Sequence, residues 1–232
     1  MKVGIMQPYF FPYIGYWQLI NAVDAYVIYD DVNFIKGGWI NRNNILVNGQ
    51  VNFINLQTYK ASPNKIINQI ELLVNEMYNN KLLRKIEASY KKAPYYEEVI
   101  QLIENIIKQD EKNLAKYLAN SIMKINKYLG IKTQIIMSSE IKKKYNLKGQ
   151  DKVIDICKSL NATEYINAIG GIELYSKQDF ITNGIQLKFL KSKEIKYKQY
   201  EDEFIPNLSI IDVMMFNSIE EINKMLNAYE LL

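Results

Sequence analysis

The first thirty residues constrain the fold of this chain more than any other stretch. A short apolar run, Val3 to Met6, is followed by the proline- and aromatic-rich segment Gln7 to Gly15 and by an amphipathic run, Tyr16 to Val23. A second apolar run, Tyr26 to Tyr29, ends at Asp30-Asp31. Strand, loop, helix and strand in this order predict a βαβ unit. In sheets built from such units, ligands bind beyond the carboxyl ends of the strands.

The middle of the chain predicts a hairpin followed by helices. Asn48-Gly49 lies between two short apolar runs, and this dipeptide favours a type I′ hairpin turn because both central residues need positive φ. Ser62 and Pro63 are typical of a helix start. From there to Leu129 the spacing of apolar residues predicts almost continuous helix, ended by Gly130.

The α/β pattern then resumes. Strands are predicted at 133–137, 163–167 and 185–190, with a helix at 150–160 and a shorter one within 172–183, and the tail from Ser209 is predicted to be helical in two pieces. We therefore expect one α/β domain over residues 1–232. Its central, mainly parallel sheet is flanked by helices, and a β-hairpin and an all-helical insertion at approximately 62–129 are added to it.

The composition removes whole classes of chemistry. The 232 residues include no histidine and a single cysteine, Cys157. This excludes Ser-His-Asp and Cys-His catalysis, and it excludes metal sites built on histidine or on several thiolates, so no metal site is predicted. A general base must be a carboxylate, a lysine, a tyrosine or a group of the substrate.

Charge and cysteine content indicate the setting. One cysteine cannot form an intrachain disulfide, the N-terminus has no secretory pattern, and no apolar run reaches membrane-spanning length, so we expect a cytoplasmic protein. The net charge of +4 is spread along the chain and does not indicate a nucleic-acid partner.

Polar residues follow the first two predicted strands. Gln7 starts a loop with two prolines and four aromatic residues, which favours a rigid loop whose Gln7 amide fixes a ligand. Asp30 and Asp31 end the second strand, and because side chains alternate along a strand, only one of them can point into a cleft. That carboxylate would take a proton from an amine, or hold Mg²⁺ or a ribose. The alternative is that it caps the next segment.

A second polar group follows a pair of glycines. Arg42 has the planar fork that binds phosphate or carboxylate, Asn41 and Asn43 offer amide groups beside it, and Lys36 adds a positive charge. The alternative is that Arg42 pairs with the aspartates to hold the loop, and both roles can hold at once. For Trp39, core packing is favoured slightly over stacking on a base or sugar.

Glycine turns mark two places where main-chain N–H groups could meet an anion. Gly15 lies at a predicted helix start and allows close approach of a ligand, or it serves a tight turn only. Asn167, Gly170 and Gly171 follow a predicted strand and precede a short helix, and Tyr175 is predicted to face the same pocket. These residues complete the predicted binding set.

Several segments together resemble the WbqC-like family of bacterial proteins. They lie in the family's order over essentially the whole chain, and two of them, with the patterns QPxxxPxxGY and WxNRN, are specific. Many members have histidine before the Gln-Pro pair, where this chain has Met6. The segments are Met6–Tyr16, Tyr29–Phe34, Gly38–Asn43, Tyr90–Tyr96, Asn167–Gly171 with Tyr175, and Phe204–Asp212.

The resemblance implies a part in O-antigen or other surface-polysaccharide biosynthesis. Some members occur where an amino sugar carries an acyl or aminoacyl group. The implied activity is a transferase that adds such a group to the amine of a nucleotide-linked amino sugar. Its partners would be that sugar and an acyl or aminoacyl donor, either a preformed thioester or an aminoacyl-tRNA.

The run Tyr13-Ile14-Gly15-Tyr16 also resembles the HxGH site of nucleotidylyl transferases and of ligases of the pantothenate-synthetase kind. There the histidines bind ATP phosphates at a helix N-terminus, whereas both places are tyrosine here. An anion site at Gly15 and Tyr16 would keep its main-chain donors and lack the imidazoles. ATP with Mg²⁺ is required if the protein activates a free amino acid and is not required with a preformed donor.

Two functions stay open at this point. The protein is either the transferase or a non-catalytic nucleotide-sugar-binding or scaffold protein of the same pathway. An aspartate of the 30–31 pair, Arg42 and Gln7 lining one cleft would favour the enzyme, and their use in capping bonds would count against it. The predicted helical insertion offers no chemistry, and its apolar faces would cover the cleft or form a homodimer interface.

Overall fold

The elements are assigned from a computed structural model that describes residues 1–144, 146–201 and 203–232. The N-terminal part contains β1 (Lys2–Met6), α1 (Ile14–Asn21), β2 (Ala25–Ile28), β3 (Arg42–Val47) and β4 (Gln50–Asn55). The middle contains β5 (Thr58–Tyr59), β6 (Glu71–Leu72), α2 (Glu76–Tyr90), α3 (Tyr96–Ile107) and α4 (Leu114–Leu129). The C-terminal part contains β7 (Gln134–Met137), α5 (Gly149–Ser159), β8 (Glu164–Ala168), α6 (Lys177–Thr182), β9 (Gln186–Ser192), α7 (Ile210–Phe216), α8 (Ile219–Leu226) and β10 (Tyr229–Leu231).

The central sheet has the strand order β10-β9-β8-β1-β2-β7. All neighbouring pairs are parallel except β10 and β9, which are antiparallel. The parallel strands follow the doubly wound order, in which the direction of winding reverses between β1 and β8. The predicted α/β class with a mainly parallel sheet is confirmed.

Helices cover both faces of this sheet because apolar side chains alternate between them. Tyr26 and Ile28 of β2 belong to the apolar core that includes α1, α3 and α4. Ala25 and Val27 belong to a second core with α5 and α6. A strand buried on both sides is typical of parallel sheets, which explains why the sequence of β2 is apolar throughout.

The helix predicted from Ser62 begins only at Glu76, so this part of the prediction is wrong. The main chain in between forms hydrogen bonds with other segments instead of with itself. For example, the Asn68 N–H donates to the Asp30 carbonyl at 3.0 Å. The apolar residues there pack under the N-terminal loops, and their spacing imitates that of a helix.

Other local predictions are confirmed. The hairpin β3–β4 turns at Asn48 and Gly49 with φ of 51° and 72°, as its sequence predicts, and Gly130 ends α4 with φ of 73°. The helical prediction for the tail is right for α7 and α8 and wrong for residues 229–231, which form β10. The division into a single domain with an insertion at 62–129 stays a prediction. Within the described residues, the helices are all too short or too polar to cross a bilayer.

Candidate functional site at the carboxyl edge of the sheet

The strand order selects one crevice at the carboxyl edge. Because the winding reverses between β1 and β8, the connections after these two strands lead to opposite faces of the sheet. One connection is the loop 7–13, and the other begins with the short 3₁₀ turn Ile169–Leu174. Both contain residues that the sequence predicts to bind a ligand.

Side chains from distant segments hold the loop after β1. The Asn43 Nδ2 group donates to the carbonyls of Phe10 at 3.0 Å and Phe11 at 2.9 Å, and the Ser209 hydroxyl donates to the Phe11 carbonyl at 2.9 Å. These bonds hold Phe11 at a φ of 44°, which is unusual for a bulky residue. Phe10 and Phe11 are buried. The amide of Asn43 therefore shapes the loop.

Gly15 lies in the first turn of α1 beneath the ring of Tyr13. A Cβ atom at position 15 would lie 2.5 Å from a Tyr13 ring carbon, so glycine is required for this contact. Tyr16 is buried, and its hydroxyl donates to the Gln7 carbonyl at 3.0 Å. Burial raises the pKa of Tyr16 well above its ordinary value. Tyr16 therefore supports the loop from below, and anion binding at Gly15 stays a prediction.

Gln7 is half-buried at the end of β1. Its side-chain amide has no hydrogen-bond partner among the residues that the structure describes. Its main chain is fixed by the bond from Tyr16, so the direction of the side chain is constrained while its polar atoms stay available. The predicted contact of Gln7 with a ligand stays a prediction.

Asp30 is fully buried and its carboxylate is occupied. One oxygen accepts the Ser139 N–H at 2.9 Å, and the other accepts the Ser139 hydroxyl at 2.6 Å and the Asn68 amide at 3.1 Å. These bonds tie the segment before β6 and the segment after β7 to the end of β2. Of the two roles that the sequence leaves open for Asp30, the geometry favours the turn partner.

Asp31 forms ion pairs with two lysines. Its Oδ2 lies 2.9 Å from Lys143 Nζ and 3.1 Å from Lys152 Nζ, and the Lys143 side chain is almost fully buried. Burial alone would raise the pKa of Asp31, but the hydrogen bonds and charges of the two lysines outweigh it and lower the pKa below its usual value. The carboxylate therefore stays ionised as a structural partner.

The polar group around Arg42 is also used internally. Arg42 donates to the carbonyls of Gly37 and, at 3.1 Å, Gly38, and its guanidinium lies 4.5 Å from the ring centre of Phe53. Asn41 donates to the Leu56 carbonyl at 3.0 Å. Arg42 thus closes the glycine turn, and it does not pair with Asp30 or Asp31 as the alternative interpretation proposed.

Lys36 is exposed in the turn that Arg42 closes. No hydrogen bond or ion pair of its side chain occurs within the described residues. Its predicted role in binding phosphate stays a prediction.

The loop after β8 is packed closely around Asn167. This side chain is buried and accepts the Ala168 N–H at 2.9 Å, and a Cβ at Gly171 would overlap its amide. Tyr175 packs edge-on against buried aromatic neighbours. Gly170, in contrast, is exposed with open space beside it. The structure brings Asn167, Gly171 and Tyr175 together, but in a packed corner and not around a cavity.

Two cavities share a wall beside the N-terminus of α1. We call the first the aromatic cavity; it measures about 230 Å³ and lies between the loop after β1 and the start of β3. We call the second the basic cavity; it measures about 340 Å³ and lies between the start of α1 and the segment after β9. Tyr13 and Asn207 line both. The aromatic cavity is lined by Tyr9, Pro12, Tyr13, Trp39, Asn43 and Asn207. The basic cavity is lined by Tyr13, Ile14, Ser192, Lys193, Glu194, Ile195, Lys196, Tyr197, Phe204, Pro206, Asn207, Leu208 and Val213.

Trp39 is the clearest correction to the sequence analysis within these cavities. Its side chain is 43 % exposed, whereas core packing was favoured. Its main-chain carbonyl accepts the Phe10 N–H at 3.2 Å, so the loop after β1 fixes its position. The indole therefore presents a wall to solvent, as stacking on a ligand requires.

The polar wall of the basic cavity was missed by the sequence analysis. Lys193, Glu194 and Lys196 follow β9 directly, at the same carboxyl edge as the loop after β1. The sequence signal that could have found these residues is a run of charged residues directly after the last parallel strand. Asn207, with φ of 59°, gave no comparable signal.

A buried carboxylate holds the outer wall of the basic cavity. Asp212 accepts hydrogen bonds from Tyr90 at 2.9 Å, Tyr197 at 2.6 Å and Gln199 at 2.8 Å. Burial raises the pKa of Asp212, although the three donors oppose this. The Ser209 hydroxyl caps α7 by accepting the Ile211 N–H at 3.2 Å, and the Asp212 side chain takes no part in this cap.

No group of three or more potential metal ligands of the His, Cys, Asp or Glu type occurs in the part of the chain that the structure describes. The available chemistry at the edge consists of aromatic faces, the amides of Gln7 and Asn207, two lysines and a carboxylate. This set suits an uncharged ring joined to an anion.

Comparison with known proteins identifies the family. The pattern of the WbqC-like protein family matches residues 7–224. The chain belongs to the WbqC-like protein family. This WbqC-like chain is 27 % identical to the uncharacterized protein Rv1507c of Mycobacterium tuberculosis over 221 residues, which cover 93 % of both chains. No solved structure matches it.

Proposed function

We propose that this WbqC-like protein binds a nucleotide-linked amino sugar of surface-polysaccharide biosynthesis. The observation that carries the proposal is the common wall of the aromatic and basic cavities, which offers a ring-binding surface next to a cationic one. A sugar joined to a diphosphate presents the same two kinds of chemistry in the same order. The position at the carboxyl edge agrees with the ligand site of doubly wound sheets.

The aromatic cavity suits the sugar. Tyr9, Tyr13 and Trp39 provide ring faces, and such surfaces contact the apolar face of a sugar ring while their polar ends stay in water. Asn207 offers an amide to hydroxyl groups, and Gln7 lies in the same loop as Tyr9. A few polar groups on a mainly apolar wall are typical of small-molecule sites.

The basic cavity suits the phosphates. Lys193 and Lys196 line it, and Lys196 forms an ion pair of 2.7 Å with Glu194. Both partners of this pair are more than half exposed, so it contributes little free energy and can be exchanged for a phosphate contact. Ammonium groups bind phosphate oxygens through charge-assisted hydrogen bonds.

The geometry favours binding over catalysis by the residues that the sequence selected. Asp30 is occupied by three hydrogen bonds, Asp31 pairs with two lysines, and Arg42 closes a turn. Of the three predicted groups in the discriminating set, the aspartates and Arg42 are engaged in ion pairs and hydrogen bonds, whereas the Gln7 amide has no hydrogen-bond partner within the described residues. The transferase therefore takes second place.

One observation keeps transfer of an acyl or aminoacyl group as the second candidate. Glu194 is a carboxylate that lines the basic cavity, which shares a wall with the aromatic cavity, and in this candidate it acts as the general base for the sugar amine. In this scheme the sugar amine attacks the carbonyl of the donor, Glu194 takes the amine proton, and the donor's thiol or hydroxyl leaves with a proton from solvent. ATP with Mg²⁺ would be consumed only if the protein formed the activated donor itself.

A thermal-shift panel tests the binding proposal. It contains UDP-, dTDP- and GDP-linked amino sugars, the free nucleotides, and ATP with Mg²⁺. A ligand at a hundredfold excess over its Kd stabilises the native state by about 2.7 kcal/mol, which raises the midpoint clearly. Trp39→Ala is expected to weaken the best ligand about tenfold, and no response to any member of the panel would contradict the proposal.

The matched control is Tyr59→Ala. Tyr59 is 46 % exposed, close to the 43 % of Trp39, and it lines neither cavity. Equal losses of affinity in the two variants would show that exposed aromatic residues act non-specifically. For the transfer candidate, mass spectrometry of the sugar after incubation with donors is the readout, and Glu194→Gln should abolish transfer while binding is retained.

A further inference from the structure

We propose that Tyr13 determines the ligand specificity of this site: its ring divides the aromatic from the basic cavity, and a nucleotide-linked sugar enters both only when the ring moves. This inference rests on the proposed function. With the ring in the observed position, the aromatic cavity accepts a free sugar. With the ring displaced, one ligand spans both cavities.

The observed position of the ring depends on a single small neighbour. Two ring carbons and the hydroxyl oxygen of Tyr13 lie 2.5 to 2.8 Å from where a Cβ of residue 15 would be. Real side chains do not approach so closely, so the ring can rest there only because residue 15 is glycine. The main chain of Gly15 is helical, and φ is not positive there, so the glycine is required by the ring and not by the backbone.

Little else holds the ring. The Tyr13 side chain is 38 % exposed, and its hydroxyl has no hydrogen-bond partner within the described part of the chain. Tyr16, three residues later, is fully buried and hydrogen-bonded. The two tyrosines that flank Gly15 are therefore unlike: one is fixed and the other is free to change its χ1 rotamer.

The sizes of the cavities favour the displacement. At about 230 Å³ the aromatic cavity is smaller than typical sites for drug-sized ligands, which begin near 300 Å³. A sugar joined to a diphosphate and a nucleoside must extend beyond it. The neighbouring space is the basic cavity of about 340 Å³, on the other side of the ring.

The energetic consequence is a selective reduction of affinity. If the ring is displaced in only a fraction of the molecules, the apparent Kd for a spanning ligand rises by the inverse of that fraction. A free sugar that uses the aromatic cavity alone does not carry this penalty. Variants that favour the displaced ring should therefore change the ratio of the two affinities.

Gly15→Ala is the sharpest variant, because it moves the ring without removing it. Alanine fits the helical backbone and is a better helix former than glycine, so the substitution acts mainly through the Tyr13 ring. We expect the affinity for UDP-N-acetylglucosamine to rise at least about threefold and that for free N-acetylglucosamine to fall. Tyr13→Ala should change the ratio in the same direction. The control on the same helix is Asn21→Ala, which lies at the far end of α1.

An NMR measurement reports the ring without any ligand. In protein labelled at its ten glycines, one Hα of Gly15 lies beside the Cε2 edge and the hydroxyl of Tyr13, so the Gly15 signal should report a movement of the ring. Tyr13→Ala should move this signal and so give its position without the ring. Titration with UDP-N-acetylglucosamine should move the wild-type signal toward that position in proportion to binding, whereas free N-acetylglucosamine should not.

The outcomes separate this inference from the function on which it rests. If the nucleotide sugar binds the Gly15→Ala and Tyr13→Ala variants more tightly than the wild type, or binds the variants alone, the proposed role of Tyr13 is supported. If it binds the wild type and both variants with equal affinity and the Gly15 signal does not move, the proposed role of Tyr13 is overturned, while the proposed binding site remains. Absence of binding to the wild type and to both variants overturns the proposed function and the proposed role of Tyr13 together.

Discussion

Two parts of the same sheet edge differ in what their polar groups are doing. At the ends of β2 and β7, Asp30 and Asp31 are surrounded by donors and cations from distant segments. Beside the start of α1, Gln7, Tyr13 and Lys193 line open space or have polar atoms without partners. The first part contains the aspartates that the sequence suggests for catalysis, and the second contains the aromatic and basic cavities. Whether a polar side chain is free to bind a ligand therefore depends on the partners that it already has, and not on its residue type.

The difference has a physical cause. Taking a charge out of water is costly unless a partner is supplied, so buried carboxylates and ammonium groups occur as bonded clusters. Lys143 is buried beside Asp31 for this reason. Exposed aromatic and lysine side chains need no such partner and can exchange water for a ligand. The following predictions test the comparison, beginning with the largest effect.

Asp31→Asn should cause the largest loss of stability. It leaves the buried ammonium of Lys143 without its carboxylate, and breaking such a pair costs about 3–5 kcal/mol. Urea denaturation of the variant and the wild type at pH 7 measures the difference. The exposed Asp110→Asn is the matched control and should change the unfolding free energy by less than about 0.5 kcal/mol.

The pH dependence of this difference has a defined sign. The pKa of Asp31 is lowered from its usual value of 3.8, so its stabilising contribution is present above that pH. It is lost as the pH falls through the lowered pKa of the folded state. The gap between the wild type and Asp31→Asn should therefore shrink in strongly acidic solution. A difference in unfolding free energy that stays constant with pH would show that Asp31 does not act as an ionised partner of the lysines.

Asp30→Ala should cost somewhat less. It leaves the Ser139 and Asn68 donors buried without an acceptor, which costs about 2–3 kcal/mol in total. The melting temperature should fall by several degrees, while the affinity of the folded protein for the best nucleotide sugar stays the same. A loss of affinity with normal stability would show instead that Asp30 takes part in ligand binding.

Arg42→Ala should lower stability by about 1–2 kcal/mol through the lost bonds to the glycine turn and the lost contact with Phe53. Nucleotide-sugar affinity should not change. The hypothesis from the sequence expects the reverse, weaker binding with little loss of stability. Calorimetric titration and thermal unfolding of one sample decide between the two.

Lys193→Ala should have the smallest effect and act on binding alone. Losing one exposed phosphate contact should weaken the nucleotide sugar about threefold, roughly 0.6 kcal/mol, and reduce the dependence of binding on salt. Lys191→Ala serves as the control, because Lys191 pairs with Glu230 at 3.1 Å and lines neither cavity. Equal effects of the two substitutions would indicate general charge and not a site.

The sequence predicts the fold better than the site. Local signals decide the βαβ unit, the hairpin at Asn48-Gly49 and the end of α4 at Gly130, because turn chemistry and apolar periodicity act over a few residues. The helix predicted at Ser62 fails because hydrogen bonds from distant segments override the local pattern. The edge strand β10 has only three residues and no periodicity to detect.

The site depends on partners that are far apart in the chain. Ser139 bonds to Asp30 and Lys152 bonds to Asp31, and each pair is more than one hundred residues apart in the chain. No local sequence pattern therefore indicates that these aspartates already have partners. The same holds for Trp39, whose exposure follows from the path of two loops. The position of Gln7 could be predicted because it depends on the end of one strand, and its contact with a ligand stays a prediction.

The most direct test of the central claim is a crystal structure of the protein with UDP-N-acetylglucosamine or the best ligand of the panel. We predict the sugar between Tyr9 and Trp39 with the Tyr13 ring displaced, the diphosphate against Lys193, and the bonds of Asp30 and Asp31 unchanged. A ligand bound instead at Asp30, Asp31 and Arg42, with their present partners displaced, would contradict the account.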